Sequence, residues 1–428
     1  MKHLHTSLLR SVAFACALSS TLHLPPAARA GGLQSGDTVA ICGDSITEQR
    51  LYSVFIEDYL LMCQPAPNLA GHQFGWSGER ADGLVSRING EVLPFHPTVA
   101  TTCYGMNDGA YAPIDAGRQA AYRKSTEAIV KQFRAAGVRL IVIGSPGPVD
   151  SDTFDRFGRS IKAATYNQTL ADLTRIAGEV AHEQNVVFAD VYTPMMQVMQ
   201  AAKAKYGADY HVAGADGIHP APNGHLVMAY AFLKALGCSG DIGTFTWDAQ
   251  SGIATATEGH KITSTSKGVI EIESTRYPFC FSDKPVDPNS PTDVLEFLPF
   301  NEELNRFCLV VRNGGAKQFK VTWGKTTKVF SAAQLEHGVN LAAEFLENPF
   351  AEAFAKVDGV VRAQQNFETP AVKDVLHQLP GWEKLLPEEA TSLERIRVAA
   401  IQKAQALSQA ARASVTPVRH QIKIALLD

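Results

Sequence analysis

Four short polar clusters carry the residue types that acyl transfer requires: Asp44-Ser45, Gly75 to Glu79, Asn107-Asp108, and Asp216 with His219. A serine hydroxyl becomes nucleophilic when a base removes its proton, and His219 is the residue suited to that work for Ser45. Asp216, three residues before His219, is spaced to accept the other imidazole N–H and stabilise the imidazolium. Attack on an ester creates an oxyanion, which needs donors fixed in advance. The N–H of Ser45, the N–H of Gly78 and the side-chain amide of Asn107 would supply three. Gly75 is an alternative to Gly78. Asp44, Trp76 and Tyr104 flank these clusters and are expected to border the substrate, and Glu48 and Arg50 follow the serine closely enough to line a pocket. Taken singly, each cluster has an ordinary structural explanation as a helix cap or a turn. Trp76 and Tyr104 suit core packing as well as a sugar platform, and the same holds for Trp323 and Trp382 further on. His225 suits a cap or a packing role. A metal site built on His211, Asp216 and His219 has no helical histidine pair or matching carboxylate cluster behind it, so no metal or cofactor is expected.

The elements that position these residues follow from hydrophobic patterning. Thr38 to Cys42, His72 to Trp76, Thr98 to Tyr104, Val138 to Ile143 and Val186 to Ala189 read as short buried strands. Helical spacing fills 51 to 62, 117 to 136, 160 to 184 and 222 to 236 between and after them. Continuous apolar strands alternating with helices imply a parallel sheet covered on both faces, a three-layer α/β/α sandwich. In such sheets ligands bind beyond the carboxyl ends of the strands. Three of the four polar clusters follow a strand directly and the fourth precedes the last helix, so all four should meet on one edge.

In that order, Gly43-Asp44-Ser45-Ile46, Gly78, Gly105-Met106-Asn107-Asp108 and Asp216-Gly217-Ile218-His219 resemble the four sequence blocks of the SGNH (GDSL-type) hydrolases. The resemblance covers about residues 37 to 238. It implies a flavodoxin-like sandwich with a five-stranded parallel sheet. It also implies Ser45, Asp216 and His219 as the catalytic set, with Ser45, Gly78 and Asn107 as the oxyanion hole. The segment after 240 lies outside the common core, and its presence resembles larger bacterial members acting outside the cytoplasm, often on acylated carbohydrate.

The first thirty residues bear on compartment. A positive start, an uncharged apolar run from Ser11 to Leu24 and Ala28-Arg29-Ala30 form the pattern of a secretory signal peptide over 1–30. The expected protein is therefore exported, periplasmic or secreted. About 400 residues then remain, more than one core usually holds. The expected divisions are an α/β domain over 31–240, a small antiparallel β module over 241–345, and a helical extension over 346–428 ending in an edge strand. A net charge of −4, spread along the chain, gives no reason to expect nucleic acid, and no later segment has the length of a membrane span. Seven cysteines include one in the leader. Cys280 and Cys308 could pair or stay free. The expected activity is hydrolysis of small acyl esters, foremost O-acetyl groups on carbohydrate, the substrate being a small-molecule or glycan ester. A lipid-directed or broad carboxylesterase, and an exported carbohydrate-binding protein with an inactive core, are the alternatives. Oligomeric state is not legible.

Overall fold

The computed structural model describes residues 32–281 and 289–427. The expected signal peptide lies outside them.

Five strands form the first sheet: β1 (Thr38–Gly43), β2 (Ala70–Gly75), β3 (Val99–Cys103), β4 (Leu140–Gly144) and β5 (Val187–Ala189). They are all parallel, in the order β2-β1-β3-β4-β5. This is the predicted flavodoxin-like frame. Strands β1 to β4 are buried on both faces, which is why β1 and β4 read as nearly unbroken apolar runs. Successive residues of β1 serve opposite sides of the sheet. Val39 and Ile41 join a core with α2 (Tyr52–Met62), α7 (Tyr192–Tyr206) and α8 (Pro222–Ala235). Ala40 and Cys42 join one with α3 (Ala81–Arg87), α4 (Ala116–Ala135) and α6 (Ala163–Glu183). Two short helices, α1 (Ser45–Glu48) and α5 (Ser151–Phe154), are the next elements after β1 and β4. Helix α7 was not expected from the sequence; it turns Met195, Val198 and Ala202 inward.

Beyond residue 240 the chain builds two sheets. The first holds β6 (Asp241–Asp248), β7 (Ala254–Ala256), β10 (Arg306–Arg312) and β13 (Val339–Asn340). The second holds β8 (His260–Ser266), β9 (Val269–Ser274), β11 (Gln318–Trp323), β12 (Thr326–Ser331) and β14 (Val418–Leu427). Two expectations are corrected here. The module is not purely antiparallel, because β6 and β10 pair in parallel. The terminal strand β14 is the middle strand of its sheet, between β11 and β9, rather than an edge. Alternating polar and apolar residues report one solvated face and cannot report neighbours to left and right.

Short helices α9 (Phe300–Glu303), α10 (Ala332–His337) and α11 (Leu341–Glu344) connect these strands. The C-terminal helices are α12 (Ala351–Pro370), which runs on into a π-helical turn (Ala371–Leu376), then α13 (Leu379–Leu385) and α14 (Ala390–Ser414). Packing does not respect a boundary at 240. Phe279 sits against Phe55 and Tyr59 of α2, and the Tyr59 hydroxyl donates to Leu304 O at 2.6 Å. Helix α12 lies along β2, the edge strand of the first sheet. There Gln364 Nε2 donates to Gly71 O at 2.8 Å, and Glu368 accepts the Gln73 N–H at 2.9 Å and binds His72 Nδ1 at 2.6 Å. Cys280 and Cys308 are not joined by a disulfide.

Candidate active site

The chain leaves β1 at Gly43 and enters α1 at once. Asp44 is the N-cap, its Oδ1 accepting the Ile46 N–H at 2.9 Å. Ser45 is therefore the first helical residue, one whose N–H has no partner within the helix. Burial pushes the Asp44 carboxyl up to about 7, against the opposing bond from Ile46.

Ser45 Oγ lies 2.8 Å from His219 Nε2, and His219 Nδ1 lies 2.6 Å from Asp216 Oδ2. The other Asp216 oxygen accepts the N–H groups of Ile218 and His219, both at 2.9 Å. Burial works against ionising Asp216, but these bonds prevail and hold it well below the usual carboxylate range. The bond to Asp216 raises His219 above the ordinary histidine value, desolvation opposing and the Asp216 and Asp44 charges adding to the rise. The loop itself is pinned from below. Asp150 N donates to Gly217 O at 3.0 Å, and Arg159 Nη1 donates to Asp216 O at 3.3 Å and to Phe154 O at 2.9 Å.

The loop after β2 sets the two glycines in different surroundings. A side chain on Gly75 would meet Glu48 N at 2.3 Å and Thr47 C at 2.6 Å, so this glycine is required for α1 to pack on β2. Gly78 is exposed, its φ is +74°, and a Cβ there would meet nothing within 4 Å. Glycine adopts that left-handed backbone without steric cost. Asn107 Nδ2 donates to Glu79 O at 3.0 Å, leaving its second amide hydrogen for another acceptor. Asp108 anchors the same region, accepting from Ala81 N and Gly105 N at 3.0 Å each. Its burial raises it to about 6 in spite of those bonds. Gly78, Asn107, Trp76, Arg80, Asp82 and His377 line an open groove of about 590 Å³.

The remaining sequence candidates fall in varied places. The Tyr104 ring is buried and its hydroxyl donates to Glu79 Oε2 at 2.6 Å, so it offers no face to a substrate. Asp44 is buried as a cap. Trp76 is half-buried in the groove wall. Glu48 accepts from Ser77 N and from Lys373, and Arg50 donates to Thr369 Oγ1 at 3.1 Å, so both are committed to structure. His225 is fully buried, binding Gln49 Oε1 at 3.0 Å and Tyr52 N at 3.2 Å. His211 lies on Asp150, 3.3 Å away. Trp323 is buried, whereas Trp382 is exposed.

Several supporting residues have no sequence signal. Arg87 is buried and forks onto both oxygens of Glu79 at 2.6 and 2.7 Å while donating to Phe74 O at 2.6 Å. Its partner Glu79 is the residue whose carbonyl holds Asn107. His377, from the C-terminal helices, binds Glu91 at 2.6 Å and packs tilted against Trp76, the ring centres 4.6 Å apart. These pairings join segments up to 301 positions apart, as Trp76 with His377, and no local spacing announces them.

The sequence matches no curated protein. Among solved structures, the chain is similar to a gut microbial diltiazem-metabolizing enzyme, 22% identical over 92% of this chain and 98% of that one, with a TM-score of 0.71. That likeness carries the shared fold through the β sheets and C-terminal helices. It is also similar to an acetylxylan esterase from Geobacillus stearothermophilus, 21% identical over 48% of this chain and 97% of that one, with a TM-score of 0.40. Residues 41–227 match the model of the GDSL-like lipase/acylhydrolase family, so the chain carries a GDSL-like acylhydrolase domain and is a carboxylic ester hydrolase.

Proposed function

We propose that the protein removes small acyl groups, foremost acetyl, from carbohydrate hydroxyls through Ser45, His219 and Asp216. The observation that carries the reading is the unbroken relay, 2.8 Å from Ser45 Oγ to His219 Nε2 and 2.6 Å from His219 Nδ1 to Asp216. Ser45 Oγ attacks the ester carbonyl carbon while His219 takes its proton. The oxyanion is held by the N–H groups of Ser45 and Gly78 and by the free amide hydrogen of Asn107. Collapse breaks the bond to the alcohol oxygen, which receives the proton from His219. Water then attacks the acyl-serine, with His219 again as base, and the carboxylic acid leaves.

The carbohydrate preference is supported by the groove beside Gly78 and Asn107. It is open, polar and charged through Arg80 and Asp82, with an aromatic wall at Trp76. Such a lining suits a hydroxyl-rich alcohol better than a lipid. Export remains part of the proposal and rests on the pattern in residues 1–30; among the described residues no helix is long and apolar enough to cross a membrane. The test is release of acetate from acetylated polysaccharides and from p-nitrophenyl acetate, with Ser45→Ala as control. Hydrolysis by Ser45→Ala at the wild-type rate would refute the mechanism, and a preference for octanoyl over acetyl esters would refute the acyl specificity.

A further inference from the structure

We propose that Lys373, in the C-terminal extension, is a positioning residue for the oxyanion loop. Through Glu48 it holds the Ser77-Gly78 backbone against the short helix that begins with Ser45. The inference rests on the ester-hydrolysis reading above and deepens it.

Gly78 belongs to a loop that packing alone does not fix. The residue is exposed, and a side chain in its place would touch nothing. Donors for an oxyanion contribute most when they need not move during reaction. The loop must therefore be held by polar ties. Trp76 N donates to Gly43 O at 2.9 Å and Glu79 N to Trp76 O at 3.1 Å, and Asn107 and Arg87 hold Glu79 on the far side of Gly78. On the near side is the Ser77 N–H, one residue before Gly78, which donates to Glu48 Oε2.

Glu48 stands on α1, three residues after Ser45, so one carboxylate joins the nucleophile's helix to the donor's loop. Lys373 Nζ reaches both of its oxygens, at 2.8 and 3.1 Å. Burial works against the ionised carboxylate, but the bonds from Lys373 and Ser77 hold Glu48 below the usual range. The cation thus keeps Glu48 charged and aimed. An independent contact points the same way. Lys373 Nζ lies 5.0 Å from the centre of the Trp76 ring, which precedes Ser77, and Arg87 stands 5.2 Å from that ring. The same lysine grips the loop through its backbone and through its aromatic residue.

Lys373 sits in the π-helical turn Ala371–Leu376 at the end of α12. Such turns are uncommon and frequent at functional sites. The helix is docked without Lys373, because Gln364 and Glu368 bind the backbone of β2. Loss of the ammonium group should therefore loosen the loop and leave the fold in place.

The experiment measures steady-state hydrolysis of p-nitrophenyl acetate and thermal melting by the full chain. Lys373→Met is expected to lower kcat about 10- to 100-fold, less than the loss of a whole oxyanion donor. KM should move less than about twofold, since the tie acts on the transition state. Lys373→Arg should restore most of the rate. Lys373→Met combined with Glu48→Gln should fall no further than the worse single variant, because both break one connection. Should Lys373→Met fail to fold, Glu48→Gln carries the same kcat and KM test. Wild-type kcat in these variants, additive losses in the double variant, or no rescue by arginine would each overturn the proposal. If Ser45→Ala is inactive while Lys373→Met is fully active, only the role of Lys373 falls. Full activity in Ser45→Ala overturns both readings.

Discussion

Asp216 holds His219 at two points: Oδ2 meets the ring Nδ1 at 2.6 Å, and Oδ1 accepts the backbone N–H of the same residue at 2.9 Å. One carboxylate thereby fixes both the ring's orientation and its place in the chain. Asp216→Asn keeps the size of the group but removes the charge that stabilises an imidazolium. The expected loss in kcat is about 10⁴-fold. Melting curves recorded with the kinetics separate this from unfolding, and a loss under tenfold at unchanged stability would remove Asp216 from the mechanism.

His219 acts as a base only when neutral, so its raised pKa sets the acid side of the activity profile. The logarithm of kcat/KM should rise with unit slope and level off above 6.5, the ordinary histidine value. In Asp216→Asn the midpoint should move to lower pH, because the bond that raises His219 is gone. Stability runs the opposite way. The contribution of a raised histidine is complete below its unfolded pKa and is lost as pH climbs through the folded value. A profile that is flat from pH 5 to 8 would contradict the assignment of His219 as base.

Gly75 and Gly78 should fail differently. Gly75→Ala forces a Cβ into the backbone of α1 and is expected to lower Tm sharply. Gly78→Ala meets no atom but must hold φ near +74°, a strain of about 1–2 kcal/mol. The loop relieves that strain by shifting its N–H, so kcat should fall about 10²-fold with a small change in Tm. Equal kinetic losses at equal Tm would show that position 78 is not a donor.

Asp44→Asn tests the buried cap. The amide oxygen can still accept from Ile46, while the cost of burying a charge disappears. The carboxyl is raised to about 7, so wild-type stability should decline as pH rises from its unfolded value of 3.8 and level off above 7. The variant should match the wild type near pH 3 and melt higher at pH 8. A Tm difference that does not vary with pH would place the Asp44 carboxyl in solvent contact.

The first half of this architecture was legible because its information is local. β1 and β4 are short apolar runs that end at Gly43 and Gly144, and a polar cluster follows each of β1, β2 and β3. Ser45, Gly78, Asn107, Asp216 and His219 could be placed on one edge from that order alone. The second half was not legible for physical reasons. β14 alternates like any half-solvated strand, and nothing in its ten residues says that β9 and β11 will flank it. Lys373 and Glu48 are 325 positions apart, and a lysine on a helix has no pattern until its partner is known. Tyr104 illustrates the remaining ambiguity. An aromatic residue at a strand end suits a substrate wall or a core equally, and the buried Glu79–Arg87 pair decides for the core.

Helix α12 also acts as an edge guard. Gln364 and Glu368 occupy backbone positions on β2 that another strand would otherwise seek, at Gly71 O and Gln73 N. An open strand edge is a template for self-association. A chain ending near residue 240 would keep every residue of the relay and bare that template. Light scattering of such a truncated chain would report the result directly, as growing particles rather than monomers. Helix α12 is thus the cover that the β2 edge has in this fold.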